Sequence, residues 1–143
     1  MSAEEACNAM EKGIKDIDET IQVIKVPMAD GGEGTLDALM SSTQGKIYII
    51  QVQDPLGHLI DARYGISGDK KTAVIEMAEA SGLARVPLEC RNPLLTSTFG
   101  TGQLIQACLN HNIEKLLIGI GGSATNDGGS GALEALGVVF YDE

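Results

Sequence analysis

The sequence has no tryptophan and few aromatics of any kind: 2 Phe and 3 Tyr give 3% of 143 residues. A core must therefore come from Ile, Leu, Val, Ala and Met, within a hydrophobic fraction of 43%. That mixture suits layered α/β architectures. Basic residues are also scarce. Only 10 Lys and Arg stand against 20 Asp and Glu, for a formal net charge of −10, and they form no cluster. Binding to nucleic acid needs a basic stripe to neutralise phosphates, and an anionic membrane surface repels such a chain. Both partner classes are excluded. No apolar run reaches the ~18 residues of a membrane span, and the acidic, polar first residues do not read as a secretory leader. Cys7, Cys90 and Cys108 are far apart and form no CxxC pair, which argues against a zinc or thioredoxin-like motif. Free thiols in a reducing cytoplasm are the expected reading. A small anionic ligand remains open, because backbone amides and helix N-termini hold anions without basic side chains.

What is present is a series of α/β elements. Ser2 and Glu5 form a capping-box pattern, followed by Ala6, Met10, Gly13 and Ile14 at helical spacing. A helix is predicted to start almost at residue 1. The β-branched run at 21–26 predicts a strand. A glycine-rich loop and a helix at 35–41 follow. Strands are predicted at 46–52, 59–66 and 72–75, the first two joined by a turn at 54–57, then a short helix at 77–83. Residues 85–93 are irregular. A helix at 101–110 precedes a near-continuous apolar run at 115–120, the kind of strand buried on both faces in a parallel sheet. A second glycine-rich loop, a helix at 131–136 and a strand at 138–141 complete the pattern. The expected fold class is α/β. Residues 1–45 and 94–143 would form a Rossmann-like parallel sheet with flanking helices, and 46–93 a small inserted antiparallel or mixed β subdomain.

Three segments carry candidate chemistry. The first loop contains Asp30, Gly31, Gly32, Glu33, Gly34 and Thr35. Its glycines let a ligand approach the backbone, and its two carboxylates suit Mg²⁺ or a proton-abstracting base. A tight turn whose acids favour a helix N-terminus is the alternative. The second loop runs from Gly119 through Gly121, Gly122, Ser123, Ala124, Thr125, Asn126 and Asp127 to Gly128 and Gly129. It leaves a strand where open α/β sheets bind ligands, and its amides, hydroxyls and carboxylate suit phosphate plus metal. The third segment includes Thr98 and Thr101, either anion contacts or ordinary helix caps. The second loop lacks the GKS or GKT of a phosphate-binding Walker loop. It matches G-x-G-x-x-A through Gly119, Gly121 and Ala124, with Asp142 about 20 residues on, as in dinucleotide sites. Residues 126–129 would break the helical turn that such a site needs. His58 and His111 read as surface residues. Arg91, followed by Asn92 and Pro93, can face a carboxylate substrate or a structural ion pair.

Together these motifs resemble type I glycerate kinases. The resemblance rests on VPMADGGEGT at 26–35, AVIEMA at 73–78, ASGL at 80–83, RNP at 91–93, TFGTG at 98–102 and, most specific, IGIGGSATNDGG at 118–129. It covers nearly the whole chain in the family's order. It implies ATP- and Mg²⁺-dependent phosphorylation of D-glycerate to 2-phosphoglycerate, in a cleft between two α/β domains. In that context Asp127, Asp30 and Glu33 would be catalytic, with Asp30 and Asp127 as metal ligands. Substrate and phosphate would lie against Gly31, Gly32, Thr35, Thr98, Thr101, Gly121, Gly122, Ser123, Thr125, Asn126, Gly128 and Gly129. Family members begin with a further strand and a lysine-bearing loop, and continue far beyond residue 143. The expectation is therefore part of a two-domain kinase, completed by a complementary chain or a homo-oligomer, or else catalytically silent alone.

Overall fold

The computed structural model describes residues 1–141. Helix α1 (Ala3–Lys15) starts where the capping box places it: Ser2 Oγ accepts from the Glu5 amide at 3.1 Å, and Glu5 Oε2 accepts from the Ser2 amide at 2.7 Å. None of its residues is buried. Helix α2 (Thr35–Thr43) precedes strands β1 (Lys46–Gln53), β2 (Leu59–Ile66) and β3 (Thr72–Glu76). The short helix α3 (Ala78–Ser81) and two 3-10 turns lead to α4 (Phe99–Leu109), then β4 (Lys115–Gly119) and α5 (Ser130–Ala135).

The α/β class holds, as one mixed sheet of order β1-β2-β3-β4. β1–β2 and β2–β3 are antiparallel, and β3–β4 is parallel. The hairpin and the parallel pair thus share a single sheet. Asp54 fixes the hairpin turn, accepting from the amides of Leu56 (2.8 Å) and His58 (2.9 Å). Alternation along β3 sorts its side chains. Ala73 and Ile75 join Val52, Ala62, Tyr64, Leu104 and Cys108 in the main core beneath α4. Val74 packs against Leu36 and Met40 of α2. The same period puts Glu76 on the α2 side.

Two expected strands are absent. Residues 21–26 have no strand assignment, and Ile24 and Val26 are 80% and 66% exposed. β-Propensity describes fit to a pleated, half-buried surface; among the described residues this segment pairs with no strand. Lys25 instead ties it to α1, at 2.7 Å from Asn8 Oδ1 and 2.8 Å from Glu11. Residues 138–141 also have no strand assignment; Gly137 turns with φ +97°, and the Val138 amide returns to the Leu133 carbonyl at 3.0 Å. β4 is not sandwiched, either: Leu117 is 49% exposed, since β4 ends the sheet and pairs only with β3.

Close backbone packing sets where the helices sit. A Cβ on Gly100 would lie 1.8 Å from the Gln53 carbonyl oxygen, so α4 presses its N-terminus onto the end of β1. Gln103 Oε1 accepts from the Gln53 amide at 2.7 Å in the same place. Gly100→Ala is expected to lower stability by about 1–3 kcal/mol, the usual scale of overpacking. Urea unfolding followed by circular dichroism reads that change.

Candidate active site

The two glycine-rich loops meet backbone to backbone. The Gly121 amide donates to the Gly31 carbonyl at 2.8 Å. A Cβ at Gly119 would fall 2.6 Å from Gly31 O, and one at Gly121 would fall 2.7 Å from Gly32 Cα. No side chain fits at either position. The contact brings Asp30, Gly31 and Gly32 to the C-terminal end of β4, the end where α/β sheets bind ligands.

Three groups shape the first loop. Thr35 is buried, and its Oγ1 accepts from the Gly31 amide at 3.1 Å. Asp30 Oδ1 accepts from the Gly32 amide at 3.0 Å, while Asp30 and Glu33 are both exposed. The third group is Glu76, which the motif reading left without a role. At 3% exposure it reaches from the end of β3 and accepts from the amides of Gly34 and Leu36, both at 3.1 Å. Gly34 is the N-cap of α2 and has no capping side chain, so Glu76 caps this helix from a distant strand. Burial pushes its carboxyl above the usual range, against the two amides. Its signal in sequence is an acid ending an otherwise apolar buried strand. Glu79, 9% exposed, was missed likewise; it pairs with Arg63, which also holds Asp37 at 3.0 Å.

The second loop is sewn to residues 77–83. Met77 N–H donates to Gly119 O (2.9 Å), Leu83 N–H to Gly122 O (2.8 Å), and Ala124 N–H to Ser81 O (2.9 Å). Ser123 Oγ and Thr125 Oγ1 lie 2.8 Å apart, and Asn126 is exposed. Helix α5 begins only at Ser130, after a break from 126 to 129, so the Gly119–Gly121–Ala124 match lacks the helix onset a dinucleotide site needs. Asp142, its expected ribose contact, lies outside the described residues.

Asp127 sits apart from the first loop's carboxylates in role. Its Oδ2 accepts from the Thr98 amide and Thr98 Oγ1, both at 2.8 Å, and from the Gly131 amide at 3.2 Å. Its Oδ1 accepts from the Gly129 amide at 3.0 Å. Thr98 Oγ1 accepts in turn from the Ala132 amide at 2.9 Å. Asp127 therefore clamps α5 to α4. Burial opposes its ionisation, but the Thr98, Gly129 and Gly131 donors outweigh that and hold the carboxyl below its usual range. Thr101 is also engaged internally, with Oγ1 2.7 Å from the buried Ser81 Oγ. Both histidines have structural partners: His58 Nδ1 lies 3.2 Å from Asp54, and His111 Nε2 lies 3.0 Å from the Tyr64 hydroxyl.

Asp30 and Glu33 line a cavity of about 800 Å³ beside Pro27, Met28, Gly34 and the start of α1. No group of three or more His, Cys, Asp or Glu side chains among the described residues is placed to hold a metal. Mg²⁺ commonly takes only one or two carboxylates, with substrate phosphates and water completing its shell. The donor type of Asp30 and Glu33 fits that use.

The Asp127 clamp has a testable pH signature. Its depressed pKa contributes stability above the unfolded value of about 3.9, and that contribution is lost as pH falls through the folded pKa. Asp127→Asn is expected to destabilise the chain by about 1–3 kcal/mol at pH 7. The gap to wild type should narrow below about pH 4, as read by denaturant melts across pH.

Comparison with known proteins shows the family of the chain. The profile of the Glycerate kinase family matches residues 1–143. A glycerate kinase of Halalkalibacterium halodurans is 51% identical over 143 residues, covering 100% of this chain and 38% of the relative. The glycerate 2-kinase of Escherichia coli K12 is 51% identical over 142 residues, with 37% of its length covered. A crystal structure from Salmonella typhimurium LT2, provisionally named glycerate kinase 2, superposes with a TM-score of 0.86 at 50% identity. It covers 96% of this chain and 37% of that one. The chain thus spans under two-fifths of the length of these relatives, and it belongs to the glycerate kinase family.

Proposed function

We propose that this chain supplies the nucleotide- and phosphate-handling part of an ATP-dependent glycerate kinase, which converts D-glycerate to 2-phosphoglycerate in the cytoplasm. The observation that carries the reading is the interlock of the two glycine loops. It holds two exposed carboxylates beside a loop with unused backbone donors. The amides of Gly121 and Gly129 are engaged internally, whereas those of Gly122 and Gly128 donate to nothing among the described residues. Among these glycine amides, the latter two are available for phosphate oxygens.

Phosphoryl transfer depends mainly on positioning and charge neutralisation. Asp30 and Glu33 would hold Mg²⁺, which neutralises phosphate charge when bound. Ser123, Thr125 and Asn126 orient the acceptor or the phosphate. Asp127, Thr98 and Thr101 act as positioning residues, since their polar atoms already fix α4 and α5. Gly31, Gly32 and Thr35 set the shape of the first loop. The rest of the cleft comes from further sequence, on the same chain or on a complementary one.

Binding of a non-hydrolysable ATP analogue with Mg²⁺ tests this in the ¹⁵N-labelled chain. The Gly122 and Gly128 amide resonances are expected to shift. Asp30→Asn combined with Glu33→Gln should weaken the Mg²⁺-dependent part of binding at least tenfold. Shifts of those amides by NADH, with the ATP analogue silent, would replace this reading with dinucleotide binding.

A further inference from the structure

A smaller cavity against the second loop has a different character. Its volume is about 270 Å³, and its walls include Leu83, Val86, Arg91, Asn92, Ser123 and Thr125. We propose that it seats the carboxylate of a small hydroxy acid, with Arg91 as the counter-charge. This deepens the kinase reading and rests on it for the identity of the acid; the preference for a small anion stands on the charges alone.

Charge selects this cavity. The cavity at the first loop is lined by Glu4, Asp30, Glu33 and Asp37, and those along α1 mix Glu4, Glu11, Asp16 and Glu19 with Lys12, Lys15 and Lys25. The Arg91 cavity has no carboxylate in its lining. In a chain of net charge −10, a cavity with a guanidinium and no acid in its lining is a place where a small anion meets little local repulsion. Arg91 also differs from the other arginines. Arg63 pairs with Asp37 and Glu79, and Arg85 approaches Glu79 at 3.5 Å. Arg91 has no carboxylate partner among the described residues.

Arg91 is nonetheless held in place. Its Nε donates to the Val86 carbonyl at 3.2 Å, and Nη2 donates to the Leu83 carbonyl at 3.4 Å. A guanidinium carries five N–H groups in a rigid fork, so the unused ones remain for a carboxylate, the ligand that geometry matches best. Leu83, Val86 and Pro93 give the cavity an apolar side against which the carbon chain of the acid can rest. The same lining holds Ser123 and Thr125, whose hydroxyls are 2.8 Å apart; one donates to the other, leaving a hydroxyl hydrogen for the ligand. Asn92 Oδ1 accepts from the Leu94 amide at 3.1 Å, which leaves its side-chain NH₂ group. The size lies just below the roughly 300–1,000 Å³ typical of drug-sized ligands. It suits a three-carbon hydroxy acid better than a nucleoside triphosphate. Because Ser123 adjoins Gly122, the acid and the transferred phosphate would meet on one loop.

Titration of the ¹⁵N-labelled chain with D-glycerate tests the proposal. Shifts are expected at the Ser123 and Thr125 amides and at Arg91 Nε, and glycerol, which lacks the carboxylate, should leave them unmoved. Arg91→Ala should weaken glycerate binding at least tenfold, and Arg91→Lys should weaken it less, since charge survives while the fork is lost. Arg91 also holds two loop carbonyls, so Thr125→Val serves as a second variant; it should weaken glycerate severalfold with an unchanged circular dichroism spectrum. Shifts confined to residues 30–34, or unchanged affinity in Arg91→Ala, would overturn the carboxylate site. Tighter, Arg91-dependent binding of inorganic phosphate would overturn it in favour of a phosphate site. Glycerate binding at Arg91 without any binding of the ATP analogue would sustain this site and sink the kinase reading; the converse would sink this site alone.

Discussion

The structure depends on one close approach: the second glycine loop lying directly on the first, with the Gly121 amide on the Gly31 carbonyl. A side chain at Gly119 or Gly121 would separate the two loops. The contact joins elements distant in sequence, since one loop begins α2 and the other leaves β4. Around it, Glu76 caps α2 from β3, and the amides of Met77 and Leu83 hold the second loop from the other side. The site is a seam among β3, β4 and two helix starts, locked by backbone contact and braced by the Thr35, Glu76 and Asp127 side chains.

That arrangement divides the acidic residues into two populations. Asp54, Glu76, Glu79 and Asp127 are buried or half-buried, and each accepts hydrogen bonds from backbone amides or an arginine. Their charge is compensated within the fold, as buried carboxylates require. Asp30 and Glu33 are exposed at the cavity mouth and remain for exchange with ligands. The distinction is one of burial and number of partners, since exposed Asp30 accepts only from the Gly32 amide among the described residues, and composition alone cannot draw it. The same logic separates Arg91 from Arg63 and Arg85.

Much of this was legible in the sequence where the cause is local. The Ser2–Glu5 box, the Asp54 turn and the positions of both glycine loops follow from spacing over a few residues. The β-branched run at 21–26 misled because strand formation needs a neighbouring edge, which a single segment cannot reveal. The buried reading of 115–120 failed for a related reason: apolar composition is compatible with an end strand. Asp127 is read from its loop alone, whereas its clamp reaches Thr98, 29 positions away. Glu76 engages amides 40 and 42 positions away. Such long-range partners carry no local periodic signature, so the loops could be located before the work of their carboxylates could be assigned.

The central claim is that the two glycine loops are locked by backbone contact. Native-state hydrogen exchange at the Gly121 amide tests it most directly. The account predicts protection comparable to that of amides within the β1–β2 hairpin, because the bond to Gly31 opens only with the seam. Exchange at the rate of an unprotected loop would contradict the account, since the loops would then be separate and the site would have no fixed backbone frame.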